Sequence, residues 1–453
     1  MTDTKKILGD CSDDELVAEL ARRRAGRGPS QITGMEEALA EHQRRDGQAT
    51  LQRYLANKQQ EQNETNETSK PCPGCGKPAR IRARERARSI RSTTGEYTLR
   101  RRQHYCEKCE ISFYPLDIEL GLPEEGEVTS YMEKRLLDFG VEDTFEHGAQ
   151  RWEMHDGDPI SENLLRRVVE RVGRRAQEAQ GEVLQEALRP TVASPTALLV
   201  VQTDGSMLPL RGEAAWKEAK LGVMYRQENH LAGEEGVRGR VTEARYVAVL
   251  GGQDAFRETL NDALQAEGAE SAQKVAWIGD GAAGNWSLAQ ELGPQAREVL
   301  DWAHAEEHAT DCAKIVMGEN DPGVSLFRTR ITSLLWEGHV KIVLQELESA
   351  QFGATVGQRE ALSDLYRYYK NNASRMDYPT YRTLGLPIGS GTVESGHRHV
   401  FQDRMKRAGQ HWDFEHGQRM VLLRAAYKTA GPKQFHEAIN QAYVQSKTMK
   451  RAA

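Results

Sequence analysis

The chain lacks any apolar run approaching the roughly 18 residues that a membrane-spanning helix needs. Its opening Met-Thr-Asp-Thr-Lys-Lys is followed by no apolar core that would make it a signal peptide. A cytoplasmic protein is expected. An excess of positive charge is missing too, since 61 Lys and Arg stand against 67 Asp and Glu, a net charge of -6. The whole molecule is therefore no basic nucleic-acid binder, and any such contact has to come from local basic patches. Cysteine is scarce, six in 453 residues, and unevenly placed. Four form the pairs Cys72/Cys75 and Cys106/Cys109, while Cys11 and Cys312 stand alone. In a reducing compartment two Cys-x-x-Cys pairs favour zinc over disulfides.

What is present is ordinary soluble composition, 28% charged and 38% hydrophobic, over a length that suits roughly three domains. Residues 1–70 are polar, with helices expected over 13–24 and 35–57 and a Gln/Asn/Glu/Thr-rich run at 59–70 that reads as a linker. Residues 71–120 change character: a Cys-Pro-Gly-Cys knuckle, two strand-like segments meeting near Thr94-Gly95, then Cys106-Glu-Lys-Cys109. Two knuckles joined by a hairpin place four thiolates tetrahedrally around one zinc ion. Between them Arg82, Arg84, Arg86 and Arg88 alternate with other residues, and Arg100, Arg101 and Arg102 close the segment. At period two the four arginines share one face of a strand, a basic ribbon suited to DNA phosphates or, more plainly, a solvated face. Residues 121–192 read as helical, with segments at 131–139 and 162–188. The second is rich in arginine around Arg171 and serves either DNA binding or the connection of two domains.

From residue 196 short apolar strands appear, over 197–202, 220–225 and 246–250, then a helix over 256–266, strands over 274–278 and 298–301, and a helix over 302–316. A three-strand meander followed by helix-strand alternation reads as a mixed α/β sheet with helices packed on it. Helices are expected again over 327–369 and from about 390 to 445.

Asp204 and Asp280 each sit where an apolar strand is expected to stop, each followed by glycine. Strand-Asp-Gly is also an everyday turn. Residues 389–412 supply a third carboxylate: a glycine-flanked loop offering Ser390 and Thr392 as N-caps leads into a helix with Glu394 in its first turn and Arg398, Arg404, Lys406 and Arg407 behind it. Taken alone this is a capped surface helix with a charged face. Taken together, two strand-end aspartates and a helical glutamate are the minimum set for two divalent ions ~3.5–4 Å apart, as in-line phosphoryl displacement requires. Nearby Arg and Lys would hold a DNA backbone.

The segments Asp204-Gly-Ser-Met, Trp277-Ile-Gly-Asp280-Gly, Asp301-Trp-Ala-His304 and Gly389-Ser-Gly-Thr-Val-Glu394-Ser resemble the blocks of bacterial insertion-sequence transposases of the DDE type. The Kra-type group and its Mutator-like relatives are the nearest in pattern. The similarity runs over roughly residues 70–430, and Arg404-Met-Lys-Arg-Ala-Gly-Gln-His-Trp412 is part of its most specific block. It implies an RNase H-like catalytic domain, split into 193–316 and 387–453 around an all-helical insertion at 317–386. It also implies a triad of Asp204, Asp280 and Glu394 binding two Mg2+ or Mn2+ ions, with Asp301 and His304 in support near the DNA. The partners it implies are transposon terminal inverted repeats and target DNA, handled in the nucleoid by a homodimer or larger synaptic assembly. The zinc module with Cys72, Cys75, Cys106 and Cys109, and Arg82, Arg84, Arg86, Arg88 and Arg101, would recognise DNA ends. Arg398, Arg404 and Lys406 would hold backbone near the site, and residues 1–70 remain for assembly or end binding.

A second class of function keeps the fold without the chemistry, as a domesticated DNA-binding protein; the intact triad argues against it. His304-Ala-Glu-Glu-His308 formally matches an inverted zinc-peptidase pattern, but the preceding Asp301-Trp302 fits the transposase block better. Trp277, Trp286, Trp302 and Trp412 lie beside the proposed site, where core packing is favoured over base stacking.

Overall fold

The computed structural model describes residues 32–65, 68–156, 158–190, 194–212, 216–231 and 239–452. Cys11 and the helix expected over 13–24 lie outside them. The chain divides into two compact units, Met1–Arg135 with Asp156–Asp158, and Leu136–His155 with Pro159–Ala453. Among the described residues no helix is long and apolar enough to cross a membrane.

The first unit is a four-stranded antiparallel sheet in sequence order, β1 (Ser69–Pro71), β2 (Pro78–Ser92), β3 (Gly95–Cys106) and β4 (Ile111–Phe113), covered by a helix over Ile32–Glu64. That helix contains the expected 35–57 segment but continues through the first half of the run read as a linker. Its glutamines have a task there. β4 pairs only with the end of β3 around residues 104–106. Further back, Gln59 Oε1 accepts from Arg100 N–H (2.6 Å) and Gln62 Oε1 from Arg102 N–H (3.1 Å). Polar side chains thus satisfy a strand edge that would otherwise be open. Leu55 seals the helix onto Ile90, Tyr97 and Leu99.

The β2/β3 hairpin corrects the arginine stripe. Register shifts fall between Ile81 and Ala83 and between Ala83 and Arg86, so period-two alternation from Arg82 to Arg88 is broken by bulges. Arg88 and Arg101, expected at DNA, instead both reach the Asp117 carboxylate, and Arg88 also donates to the carbonyls of Pro123 and Gly126. Their side chains are 12% and 8% exposed, which places them inside the unit's packing. Arg82, Arg84 and Arg86 are exposed.

The second unit holds a five-stranded mixed sheet of β5 (Leu199–Pro209), β6 (Trp216–Arg226), β9 (Arg245–Leu250), β10 (Val275–Gly279) and β11 (Arg297–Leu300), with a small β7 (His230–Leu231) and β8 (Arg240–Val241) hairpin aside. The order is β11-β10-β5-β6-β9. β5, β6 and β9 form an antiparallel meander, whereas β10 and β11 run parallel to β5. The central strand is apolar on both faces, as burial from both sides requires: Leu199, Val200 and Val201 are fully enclosed. Helices Gln253–Glu267 and Ala283–Leu292 make the crossovers. Helix Glu162–Glu178 turns Val169, Val172 and Ala176 into this core, and Arg171 is itself buried, so this element is a packing helix of the unit.

Four helices, Gly323–Trp336, Val340–Ala350, Val356–Asn372 and Tyr378–Thr383, follow helix Trp302–Met317 and precede residues 389–412. The long final helix, Phe414–Ala452, breaks at Gly431 (φ 71°) ahead of Pro432, where neither residue continues helical bonding. Trp277, Trp286 and Trp412 are buried and Trp302 half-buried, so the four tryptophans are packing residues.

Candidate functional site

In the first unit the two knuckles close on each other. Among the described residues, Cys72, Cys75, Cys106 and Cys109 are the one group of three or more His, Cys, Asp or Glu whose ligand atoms all lie within 4.8 Å of one another. Cys75 Sγ and Cys106 Sγ are 3.6 Å apart. A tetrahedron with Zn–S bonds of 2.3 Å has edges of about 3.8 Å, so the four sulfurs can hold a zinc ion. Each knuckle needs a left-handed residue after its second cysteine, and finds Gly76 (φ 69°) in one and Glu110 (φ 54°) in the other. The Cys72 thiol lies at about 7: burial pushes it up, but N–H groups of Gly74 and Cys75 and the neighbouring thiols outweigh that. Cys109, beside Cys75, is pushed up to about 12.

In the second unit three distant segments meet at the end of the sheet. The parallel β10/β5 pairing ends with Ile278 opposite Gln202, two residues before Asp280 and Asp204 respectively. Asp280 follows its strand at a turn, as expected. Its Oδ1 accepts from Ala282 N–H and Asn285 Nδ2, both at 2.9 Å. Asp204 does not end its strand: β5 runs on to Pro209, with Asp204 opposite Leu221.

The third segment is pinned by two buried side chains. Gln202, fully enclosed, donates to Gly389 O (3.2 Å) and accepts from Val393 N–H (2.9 Å). Asp301, also fully enclosed, accepts from Ser390 N–H (2.8 Å) on Oδ1 and from His304 N–H (3.1 Å) on Oδ2, while its own N–H donates to Gly279 O. One residue thus joins the end of β10, through its N–H, to the N-terminus of helix Trp302–Met317 and the loop before Glu394, through its carboxylate. Ser390 is the N-cap of the short helix Gly391–Gly396, but its side chain makes no cap bond; Asp301 and Gln202 hold the turn. At the far end, Trp412 pairs beside the end of β5 through Pro209 O and Arg211 N–H. Glu394 is exposed on this anchored helix.

Two histidines complete the neighbourhood. His304 Nδ1 is 2.6 Å from Asp301 Oδ2. That bond outweighs burial and, with the charges of Asp301, Asp280 and Asp204, raises the ring to about 9. Burial pushes Asp301 up, but His304 and the Ser390 N–H bring it below the usual range. His397 is buried with Nε2 2.9 Å from Asp204 Oδ2. Asp204 is likewise lowered against its burial by His397, the Gly205 N–H and His304.

Of the expected basic contacts, Lys406 Nζ donates to Ser206 Oγ (2.6 Å), two residues along β5 from Asp204 on the same face. Arg398 is exposed. Arg404 is corrected: it is fully buried over the rings of Phe145 and Trp412, so its guanidinium braces the core and meets no solvent. His304, Glu307 and His308 assemble no metal group; His304 is engaged by Asp301 and His308 stacks on Tyr368 at 3.9 Å. Gln202, His397 and Tyr368, whose hydroxyl donates to Asp280 O (2.7 Å), were not anticipated as site residues. The spacing Glu394-x-x-His397 was the one legible signal among them, because positions three apart share a helix face.

The chain belongs to UPF0236, described as an uncharacterised protein family, which it matches over residues 80–441. No curated protein matches it in sequence. Among solved structures it is similar to the Drosophila P element transposase strand transfer complex, at 12% identity and a TM-score of 0.32, covering 71% of this chain and 96% of that one.

Proposed function

We propose that this UPF0236 chain is a DDE transposase of an insertion sequence, of the Kra-type group, that cuts DNA at transposon ends and joins the 3' ends to target DNA by two-metal-ion phosphoryl transfer. The observation that carries this reading is that the loop before Glu394 is held both by Gln202, two residues before Asp204, and by Asp301, whose N–H bonds the Gly279 carbonyl just before Asp280. A meander whose first strand is then flanked by two parallel strands supports an RNase H-like core, and the helices between β11 and residue 389 fit an inserted all-α region.

Three carboxylates are hard oxygen donors of the kind Mg2+ and Mn2+ prefer. Two ions ~3.5–4 Å apart do not require all three to meet at a single point. Ions held by Asp204, Asp280 and Glu394 would polarise the scissile phosphate and activate a water or 3'-hydroxyl. The protein's own part is placement. Asp301 and Gln202 fix where Glu394 can stand, and Asn285 and the Ala282 N–H orient Asp280. Lys406 and Arg398 suit the DNA backbone beside the site, and Arg82, Arg84 and Arg86 suit phosphates of the terminal repeats.

Incubating the protein with end-bearing DNA and Mg2+ tests the reading. Asp204→Asn, Asp280→Asn and Glu394→Gln should each lower cleavage and strand transfer by about a thousandfold or more at unchanged melting temperature. Undiminished activity in these variants would refute the triad; DNA binding with no wild-type activity would point to a domesticated binding protein.

A further inference from the structure

Glu394 and His397 stand three residues apart, one turn along the same face. A Glu-x-x-His step of this kind is how di-metal helix bundles present an oxygen and a nitrogen ligand from a single helix. The local backbone is adapted to it. The helix Gly391–Gly396 passes at His397 into a π-helical turn, His397–Gln402, and such turns occur mostly at functional sites. The ring itself is enclosed, 8% exposed at the side chain, and packs against Phe401 with ring centroids 5.4 Å apart. Gly396 makes this possible, because a Cβ there would come within 2.9 Å of Leu221.

Neither nitrogen of the buried ring makes a well-aligned hydrogen bond, an expensive state for an imidazole. Nε2 lies 2.9 Å from Asp204 Oδ2 without the alignment of a hydrogen bond. Two ligands at ~2.1 Å on adjacent corners of an octahedral ion stand about 3.0 Å apart. The separation of Asp204 Oδ2 and His397 Nε2 fits a shared ion as well as it fits an ion pair, and ligation would satisfy a buried ring nitrogen that makes no aligned hydrogen bond to that carboxylate.

We propose that His397 is a metal ligand, its Nε2 sharing with Asp204 one of the divalent ions of the carboxylate site. The inference rests on the two-metal reading and deepens it: the site is mixed nitrogen and oxygen, and discriminates in favour of transition ions over Mg2+. An imidazole adds affinity for a first-row transition ion and little for Mg2+, which favours oxygen donors.

The test uses the full chain and Mn2+ as the probe, read by pulsed electron paramagnetic resonance. Nitrogen modulation from a directly bound imidazole is expected in the wild type and absent in His397→Ala, with Mn2+ affinity falling by about 10–100-fold and the preference for Mn2+ over Mg2+ shrinking. His397→Gln, which keeps the bulk of the ring, provides a second variant should the alanine fail to fold. His304→Gln should retain the modulation, which separates the two nearby rings. Bound Mn2+ without nitrogen modulation, modulation that persists without His397, or no Mn2+ binding at all overturns the assignment and leaves His397 a simple charge partner of Asp204. Failure of the underlying reading looks different: DNA cleavage would then be insensitive to Asp204→Asn and Glu394→Gln.

Discussion

The cysteine cluster and the proposed carboxylate site are built on opposite plans. The four sulfurs come from two knuckles joined by one hairpin, and each knuckle brings two ligands through its own local turn. The three proposed carboxylates come from the middle of β5, the turn after β10 and a helix beyond six intervening α-helices. The first site is chelation written into short-range sequence; the second is a product of register and of two buried hydrogen-bonding side chains. A local site should fail when its ligands are removed, a distributed one when its scaffold is.

The largest effect should come from the local site. Replacing Cys72 and Cys106 with Ser should abolish bound zinc and unfold the first unit, because structural zinc contributes on the order of 10 kcal/mol to small domains. Zinc content and circular dichroism would read this, and the second unit should retain its melting transition. Full retention of the first unit's structure without zinc would break the comparison.

The distributed site is sharpened by Gln202→Leu, which keeps size and removes both bonds. Two buried backbone groups at Gly389 and Val393 would be left unpaired, at about 1–3 kcal/mol each. Chemical unfolding should show a loss of about 2–4 kcal/mol, with DNA cleavage reduced even where the protein remains folded; unchanged cleavage in folded protein would separate Glu394 from its clamp.

A smaller effect follows from the Asp301–His304 pair. His304 is raised from 6.5 to about 9 by the fold, so its stabilising contribution is complete below about 6.5 and is lost as pH rises through about 9. Asp301 is lowered from 3.8, so its contribution is present above that value and disappears as acid passes through the lower folded value. Urea midpoints should fall between pH 6.5 and 9 in the wild type and stay flatter in His304→Gln. The smallest effect is local again: Glu110→Gly should stabilise the second knuckle by up to about 1 kcal/mol, since glycine tolerates the positive φ without strain.

How far each site was legible follows from the same contrast. Two Cys-x-x-Cys pairs announce themselves, and Asp280 was correctly placed at a turn. Asp-Gly usually turns a chain, but at Asp204 the strand runs on because β6 keeps pairing with it as far as Pro209 opposite Trp216, a partner that sequence spacing does not reveal. The arginine stripe assumed unbroken alternation, which two bulges and Asp117 removed. Arg404 sat among basic neighbours in the sequence, and only the tertiary packing of Phe145 and Trp412 around it shows that it lies in the core. Gln202 was legible only as the end of an apolar strand, because its partners are 187 and 191 residues away.

That separation has a consequence for how the protein comes into being. A ribosome releases Gln202 long before Gly389 and Val393, and the sheet can pair while the amide still has neither partner. The nascent chain therefore carries two of the three proposed ligands before the third, and before the final helix whose Gln418 and Thr429 bond β9, has been made. If cutting DNA requires all three, every growing copy stays inert until residue 394 has been translated and docked.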